Sequence, residues 1–452
     1  MLTVGTGLLA RLVPARLRDE SVVAVLSRGS AGSVMVSGVG ALVGVASHML
    51  LARLLGVEAF GRYSYAWTVA SLLVIVATLG FDTAQVRFVA SYRVSGEWGR
   101  LAGLLRFGDR LVLAAGVAVG GLTAGVVALF SPELSPALAH TLWAACAALP
   151  VLAVLGLKGA ALQGLKRVVW ARLPEGVIRP PLALALAALA AWALGGIGSA
   201  GTMLATLAAA AVCVWVGQIL LARSLPSEVD SATPESHGRE WVRVSLPLLL
   251  VSGMRLMMGQ ADVLLVGAML GTREAGLYTA ATRLGQLITF GQNAANGIAA
   301  PLISELHAQG DRQGLQRAVT LASWGATLWA AAAALVLAVL GRWLLGLWGP
   351  EFSSVWSVLV ILSLGQVVNA AAGPVGYLLN MTGHQDTNAR ILGWVVGANI
   401  LLNVPAIAWL GAPGAALTTA VLNAVKNVWT WVEVRRRLGI APSVLFEKGV
   451  WR

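Results

Sequence analysis

The chain has 452 residues, 58% hydrophobic and only 12% charged, with a net charge of +12. A soluble globular protein carries about 25% charged residues, so this composition excludes an ordinary soluble domain and points to a protein embedded in lipid. The two cysteines, Cys146 and Cys213, lie in separate apolar runs and read as packing residues rather than as a disulfide or a metal site.

Apolar runs recur from residue 31 to residue 434. Each is about 20 residues long, enough to cross a hydrocarbon core of roughly 30 Å as a helix. A helix also satisfies its own backbone hydrogen bonds, which lipid cannot do. Twelve spans are expected: 31–52, 63–81, 111–130, 137–157, 177–195, 199–222, 244–268, 277–303, 318–341, 354–378, 389–409 and 412–434. The fourth, eighth and tenth are the most polar. The first reads as an uncleaved span, because it is too long for a signal-peptide core and lacks a small-residue cleavage site.

With these spans, and with Arg179, Arg390 and Lys426 counted with the loop or terminus beside their spans, 26 of the 32 Lys and Arg fall on one side of the membrane. Arg53, Arg62, Arg273 and Arg342 fall on the other, and Arg255 and Arg283 lie within spans. That asymmetry predicts an even-numbered bundle in the cytoplasmic membrane with both termini cytoplasmic. It accounts for the basic excess without a nucleic-acid partner.

The chain repeats itself. Leu55-Gly56 aligns with Leu270-Gly271, and the same offset of 215 places Gly61 on Gly276, Tyr63 on Tyr278 and Ala66 on Ala281. Offsets of 214 and 216 align further segments. Two six-span lobes are therefore expected, at 30–223 and 242–434. They are preceded by a cytoplasmic segment 1–29, joined by a polar linker 224–241 and followed by a basic tail 435–452. An even span number gives both copies the same topology, a parallel repeat about an axis along the membrane normal. The longest loop, 82–110, reads as an amphipathic helix pair.

Polar residues inside the spans are the site candidates. In the eighth span Arg283, Gln286, Asn293, Asn296, Thr279, Thr282 and Thr289 share an arc of about 140° at about 100° per residue. Such a stripe should face the bundle interior or a water-filled cavity. In the seventh span Arg255 and Asp262 project from one face. Asp262 and Arg283 sit at similar depth on adjacent helices, so an ion pair between them is expected, either as a structural clamp or as part of a polar cavity. In the first lobe the candidates are His48, which is a core residue or a proton carrier, and Arg53, at the outer helix end. The sequence holds no GxxxxGK[ST], HExxH or CxxC motif and no histidine cluster. Neither ATP hydrolysis, nor a metal centre, nor a cofactor, nor enzymatic catalysis is expected.

LLARLLGVEAFGRYSYA (50–66), ADVLLVGAMLGTREAGLYTAATRL (261–284), APLISELHAQGD (300–311) and LNVPAIAWLGAPGAALTTA (402–420) resemble the polysaccharide-biosynthesis, or lipid-linked oligosaccharide, flippases. These belong to the multidrug/oligosaccharidyl-lipid/polysaccharide exporter superfamily. The resemblance implies an all-α polytopic membrane protein with about twelve transmembrane helices in two six-helix lobes around a central polar cavity. It also implies alternating access and a polyprenyl-diphosphate-linked oligosaccharide as cargo, for cell-surface polysaccharide assembly. The implied partners are that substrate, membrane lipids and other polysaccharide-assembly proteins. The residues fit this cargo. Arg255, Arg283 and Arg53 suit a diphosphate, Gln286, Asn293 and Asn296 suit sugar hydroxyls, and Asp262 or His48 suits coupling. The alternatives are a multidrug-type cation exporter, which would favour acidic residues in the cavity, and a membrane polymerase or ligase, against which the short outer loops argue.

Overall fold

The computed structural model describes residues 20–442 and, among them, contains helices and no strand. The segments 1–19 and 443–452, with most of the expected N-terminal arm and the end of the basic tail, lie outside the described residues.

The first element, α1 (Glu20–Thr78), is two helices joined at Gly56. There follow α2 (Phe81–Ser95), α3 (Trp98–Phe130), α4 (Pro136–Gly164), α5 (Val168–Arg172), a π-helical turn (Leu173–Ile178), α6 (Arg179–Leu194) and α7 (Ser199–Ala222). A short helix α8 (Ser227–Ser231) leads to α9 (Gly238–Leu270), α10 (Thr272–Ala308), α11 (Arg312–Gly346), a 3₁₀ turn (Pro350–Val355), α12 (Trp356–Ala371), α13 (Val375–Met381), α14 (Gln385–Leu410) and α15 (Ala412–Leu438).

Among the described residues, nine helical segments are long and apolar enough to span a membrane. One of them, Met35–Thr78, holds the first two expected spans. The eighth and twelfth expected spans correspond to α10 and α15, which are not among the nine. Both carry polar residues inside the bundle, including Asn296 and Asn427. Large apolar side chains such as Leu122, Trp192, Leu401 and Trp409 stand exposed around the bundle, where lipid is their solvent.

Within the first lobe α4 packs against α3, α7 and α1; within the second, α12 packs against α11 and α15, and α14 against α15 and α9. The lobes meet where α10 and α9 pack along α1. The duplicated hairpins lie at the centre of this contact, on the arginine-poor face. Gly56 and Gly271 turn the chain with φ of 74° and 97°, a region that favours glycine. Five residues beyond each, Gly61 and Gly276 let the two backbones touch. A Cβ on Gly276 would lie 2.6 Å from the Cα of Gly61, and one on Gly61 would lie 2.8 Å from the carbonyl carbon of Thr272.

Phe60 of the first lobe packs edge-on against Trp348 and Phe352 of the second, with ring centroids 5.7 and 5.8 Å apart. All three are essentially fully buried. Around this cluster Arg273 pairs with Glu58 at 3.4 Å and also with Glu351, and Arg53 Nε donates to the Leu347 carbonyl. Exposed ion pairs contribute about 0–1 kcal/mol each. Burying one large aromatic side chain contributes about 1.5–3 kcal/mol, so the rings dominate the adhesion.

The polar joint between the lobes is folded down rather than free. Glu235 N donates to the Gly99 carbonyl at 3.0 Å. Trp241 is fully buried; its ring packs 5.4 Å from that of Phe107, and its Nε1 donates to Tyr92 Oη at 3.0 Å. The linker thereby fastens the start of α9 to α2 and α3 of the first lobe.

Candidate functional site

A cavity of about 370 Å³ lies between the lobes, deeper in the bundle than the glycine contact. Four segments of the first lobe line it: Gly44–Leu51 and Tyr63–Trp67 from the arms of α1, Arg172–Leu184 from the π-helical turn and its flanks, and Thr206 from α7. The second lobe contributes Gln260 from α9 and Arg283 from α10.

The charge of this lining is uneven. Arg172, Arg179 and Arg283 face one carboxylate, Glu175. The Arg179 guanidinium stacks on Trp67, 4.5 Å from the ring centroid, an arrangement that fixes the cation while leaving its edge free for a ligand. Arg283 Nη1 donates to Gln286 Oε1 at 3.3 Å, one turn along the same helix. Tyr63 Oη and Thr206 Oγ1 lie 3.3 Å apart, and the buried Nδ1 of His48 has no hydrogen-bond partner.

The π-helical turn explains why Glu175, Gly176 and Arg179 all reach the cavity. Pro174 removes a backbone donor, and the ladder widens for one turn before α6 resumes. Arg179 was placed by the charge tally with the loop cations; the fold instead carries it into the bundle.

A second polar cluster lies inside the second lobe, away from this cavity. Asp262 is buried and accepts from Tyr278 Oη at 2.9 Å, Thr419 Oγ1 at 2.7 Å and Asn403 Nδ2 at 3.2 Å. Asn399 Nδ2 donates in turn to Thr419 Oγ1 at 3.0 Å. The expected ion pair between Asp262 and Arg283 is therefore not formed. The two side chains leave their helices in different directions, Asp262 toward α14 and α15 and Arg283 toward the first lobe. Similar depth on adjacent helices was insufficient, because it fixes height and leaves azimuth free.

The Oδ1 atoms of Asn399 and Asn403 are buried with no partner. A carboxylate beside orphaned amide oxygens is an all-oxygen donor set of the kind that suits a hard cation.

The remaining candidates separate. Arg255 is exposed on α9 and lies outside the lining of the cavity. Arg53 reaches across the lobe contact rather than into the cavity. Gln286 and Asn293 are exposed, and Asn296 is buried. Thr279, Thr282 and Thr289 each donate to a carbonyl of their own helix, as hydroxyls in apolar helices commonly do. Sequence reasoning missed Gln292, which lies outside the polar arc of α10. Its Oε1 accepts from Asn369 Nδ2 at 3.0 Å, and Asn427 Nδ2 donates to Asn369 Oδ1 at 2.7 Å, forming an amide seam through the second lobe.

Residues 26–307 match the model of a family described as polysaccharide biosynthesis protein. The chain belongs to that family. Among curated proteins it is 30% identical over 198 residues to the uncharacterized membrane protein EpsK of Bacillus subtilis (strain 168), covering 42% of this chain and 38% of that protein. It is also 30% identical over 161 residues to the probable flippase AglR of Haloferax volcanii, covering 35% of this chain and 34% of that protein. The matched stretches thus span little more than a third of each relative's length.

The fold of this family member is shared with solved transporters of the MOP superfamily. An inward-facing multidrug resistance MATE family transporter superposes with a TM-score of 0.75 at 15% identity, over 88% of this chain and 94% of that one. A MOP superfamily transporter from Pyrococcus furiosus, described as having a binding pocket of reversed polarity, superposes with a TM-score of 0.67 at 14% identity, over 92% and 96%. At that identity the likeness establishes the fold: a multi-pass, two-lobed helical bundle.

Proposed function

We propose that the protein is a flippase that moves a polyprenyl-diphosphate-linked oligosaccharide from the cytoplasmic to the outer leaflet of the cytoplasmic membrane by alternating access. The observation that carries this reading is the lining of the inter-lobe cavity, three arginines against one glutamate. A diphosphate needs compensating cations to enter a low-dielectric core, and arginine presents paired donors that fit phosphate oxygens. Arg179 and Arg283 stand on opposite lobes, so a head group held between them bridges both halves of the machine. Gln286, beside Arg283, is available to sugar hydroxyls.

A multidrug-type cation exporter would need acidic residues in that lining. The one membrane-embedded aspartate of the second lobe, Asp262, is turned away from it. We read the Asp262 cluster as the seat of a coupling cation, a proton or a monovalent metal ion; its buried carboxylate and the unpartnered amide oxygens of Asn399 and Asn403 support that reading. Family membership, the AglR relative and the transporter fold support a transport role over a polymerase or ligase.

The test uses purified protein in vesicles loaded with a fluorescent polyprenyl-diphosphate sugar, with leaflet exchange read by quenching. Arg179→Ala and Arg283→Ala are each expected to slow exchange at least about tenfold, the effect of losing one charge-assisted phosphate contact of about 1.5–3 kcal/mol. Full exchange by the double variant would refute the reading.

A further inference from the structure

The two copies of the hairpin are not only alike; they touch at equivalent positions. Gly61 meets Gly276, and these are the same residue of the repeat at the offset of 215. The same offset relates Glu58 to Arg273, which pair with each other at 3.4 Å. At this one position the duplicated scaffold carries opposite charges, and the pseudo-two-fold axis brings them together. Glu351, from the turn before α12, also pairs with Arg273, and Glu274 lies 3.4 Å from it. Arg273 is thus held among three carboxylates, one from the first lobe and two from the second, and Arg62 lies 3.9 Å from Glu58 on the same helix.

We propose that Glu58 and Arg273, with Glu351, form a charge latch that selects the state closed on the arginine-poor face, and that it must part in every transport cycle. The Phe60–Trp348–Phe352 cluster and the glycine contact supply adhesion and close approach. Adhesion of that kind has no preferred partner. Apolar rings attract any apolar surface, whereas a cation among carboxylates fixes register and repels a wrong one. The latch is exposed: the side chains of Glu58, Arg273 and Glu351 are 59, 43 and 53% accessible. It is therefore weak enough to open on each cycle and sensitive to salt. Were the two equivalent positions of the repeat alike, both acidic or both basic, their meeting on the axis would repel and the closed state would lose its register. The asymmetry is what a duplicated gate requires.

This inference rests on the two-state cycle proposed above but not on the identity of the cargo. Its test therefore reads gate opening rather than transport of a chosen cargo. In a background lacking Cys146 and Cys213, Ser47→Cys places one thiol in the inter-lobe cavity. Its labelling by a membrane-impermeant maleimide is followed on intact cells.

Arg273→Glu gathers four carboxylates and is expected to raise the labelling rate about fivefold, the effect expected when an exposed ionic network turns repulsive. The triple variant Glu58→Arg/Arg273→Glu/Glu351→Arg reverses all three charges, keeps both pairs opposite, and is expected to return the rate to within about twofold of the parent. Choline chloride at high concentration, applied to the parent protein, is expected to speed labelling in the direction of Arg273→Glu. That arm holds even where a variant fails to insert. Unchanged labelling in Arg273→Glu, or failure of the triple variant to restore the rate, overturns the latch. Restored gating with no exchange of the lipid-linked sugar would overturn the cargo instead and leave the latch standing.

Discussion

The glycine contact makes a demanding prediction, because nothing at Gly61 can yield cheaply. An added methyl would lie 2.8 Å from the Thr272 carbonyl carbon and nearer still to its oxygen, where ordinary contact begins at 3.4 Å. The obstacle is backbone on the opposite lobe, not the end of a flexible side chain, so the hairpins must draw apart. Overpacking of this kind costs about 1–3 kcal/mol, a factor of about 5–150 in a two-state equilibrium. The cost applies only while the hairpins touch. Gly61→Ala should therefore deplete the form closed on this face and leave the lobes themselves intact. Spin labels at Leu194 and Leu410, both exposed at the ends of spans on that face, report the separation of the lobes by electron–electron dipolar spectroscopy. Gly61→Ala should shift the distribution toward longer distances, and Gly61→Val should shift it further. Gly285→Ala, on the same helix as Gly276 with no atom within 4 Å of an added Cβ, is the control and should leave it unchanged. An unaltered distribution for both Gly61 variants would refute the claim that backbone approach sets the closed state.

Two further outcomes are expected. Asp262→Asn keeps the shape of the side chain and its bonds to Thr419 and Tyr278, so the protein should remain folded. Removing the buried charge should weaken cation binding at least about 30-fold, read as loss of the thermal stabilisation given by sodium chloride over choline chloride and as loss of transport response to sodium and proton gradients. An unchanged response would remove Asp262 from coupling. Trp241→Ala should destabilise the purified protein by about 3–5 kcal/mol, measured as a lowered unfolding temperature, because the indole is fully buried and bonded to Tyr92. An exposed linker tryptophan would show almost no change.

The sequence by itself determined the class of fold, an all-α multi-pass membrane protein of two lobes. These properties are read from periodicity and composition, and lipid makes both strict: a spanning helix has a required length and no tolerance for unsatisfied backbone. It also singled out Asp262, Arg283 and His48, because ionisable groups inside apolar runs are rare and costly. What it left open was direction. A helical wheel relates residues on one helix and says nothing about which neighbour that helix faces, so Asp262 and Arg283 were expected to meet and instead point into different compartments. Arg179 lies two residues inside the expected span 177–195 but was counted with the adjoining loop; the π-helical turn that carries it into the cavity packs against α6 and α7. Glu58 and Arg273, 215 residues apart in the chain, became a pair only when the two lobes closed around a common axis. Pairing across that axis is a property of assembly, and assembly is what the tertiary structure alone decides.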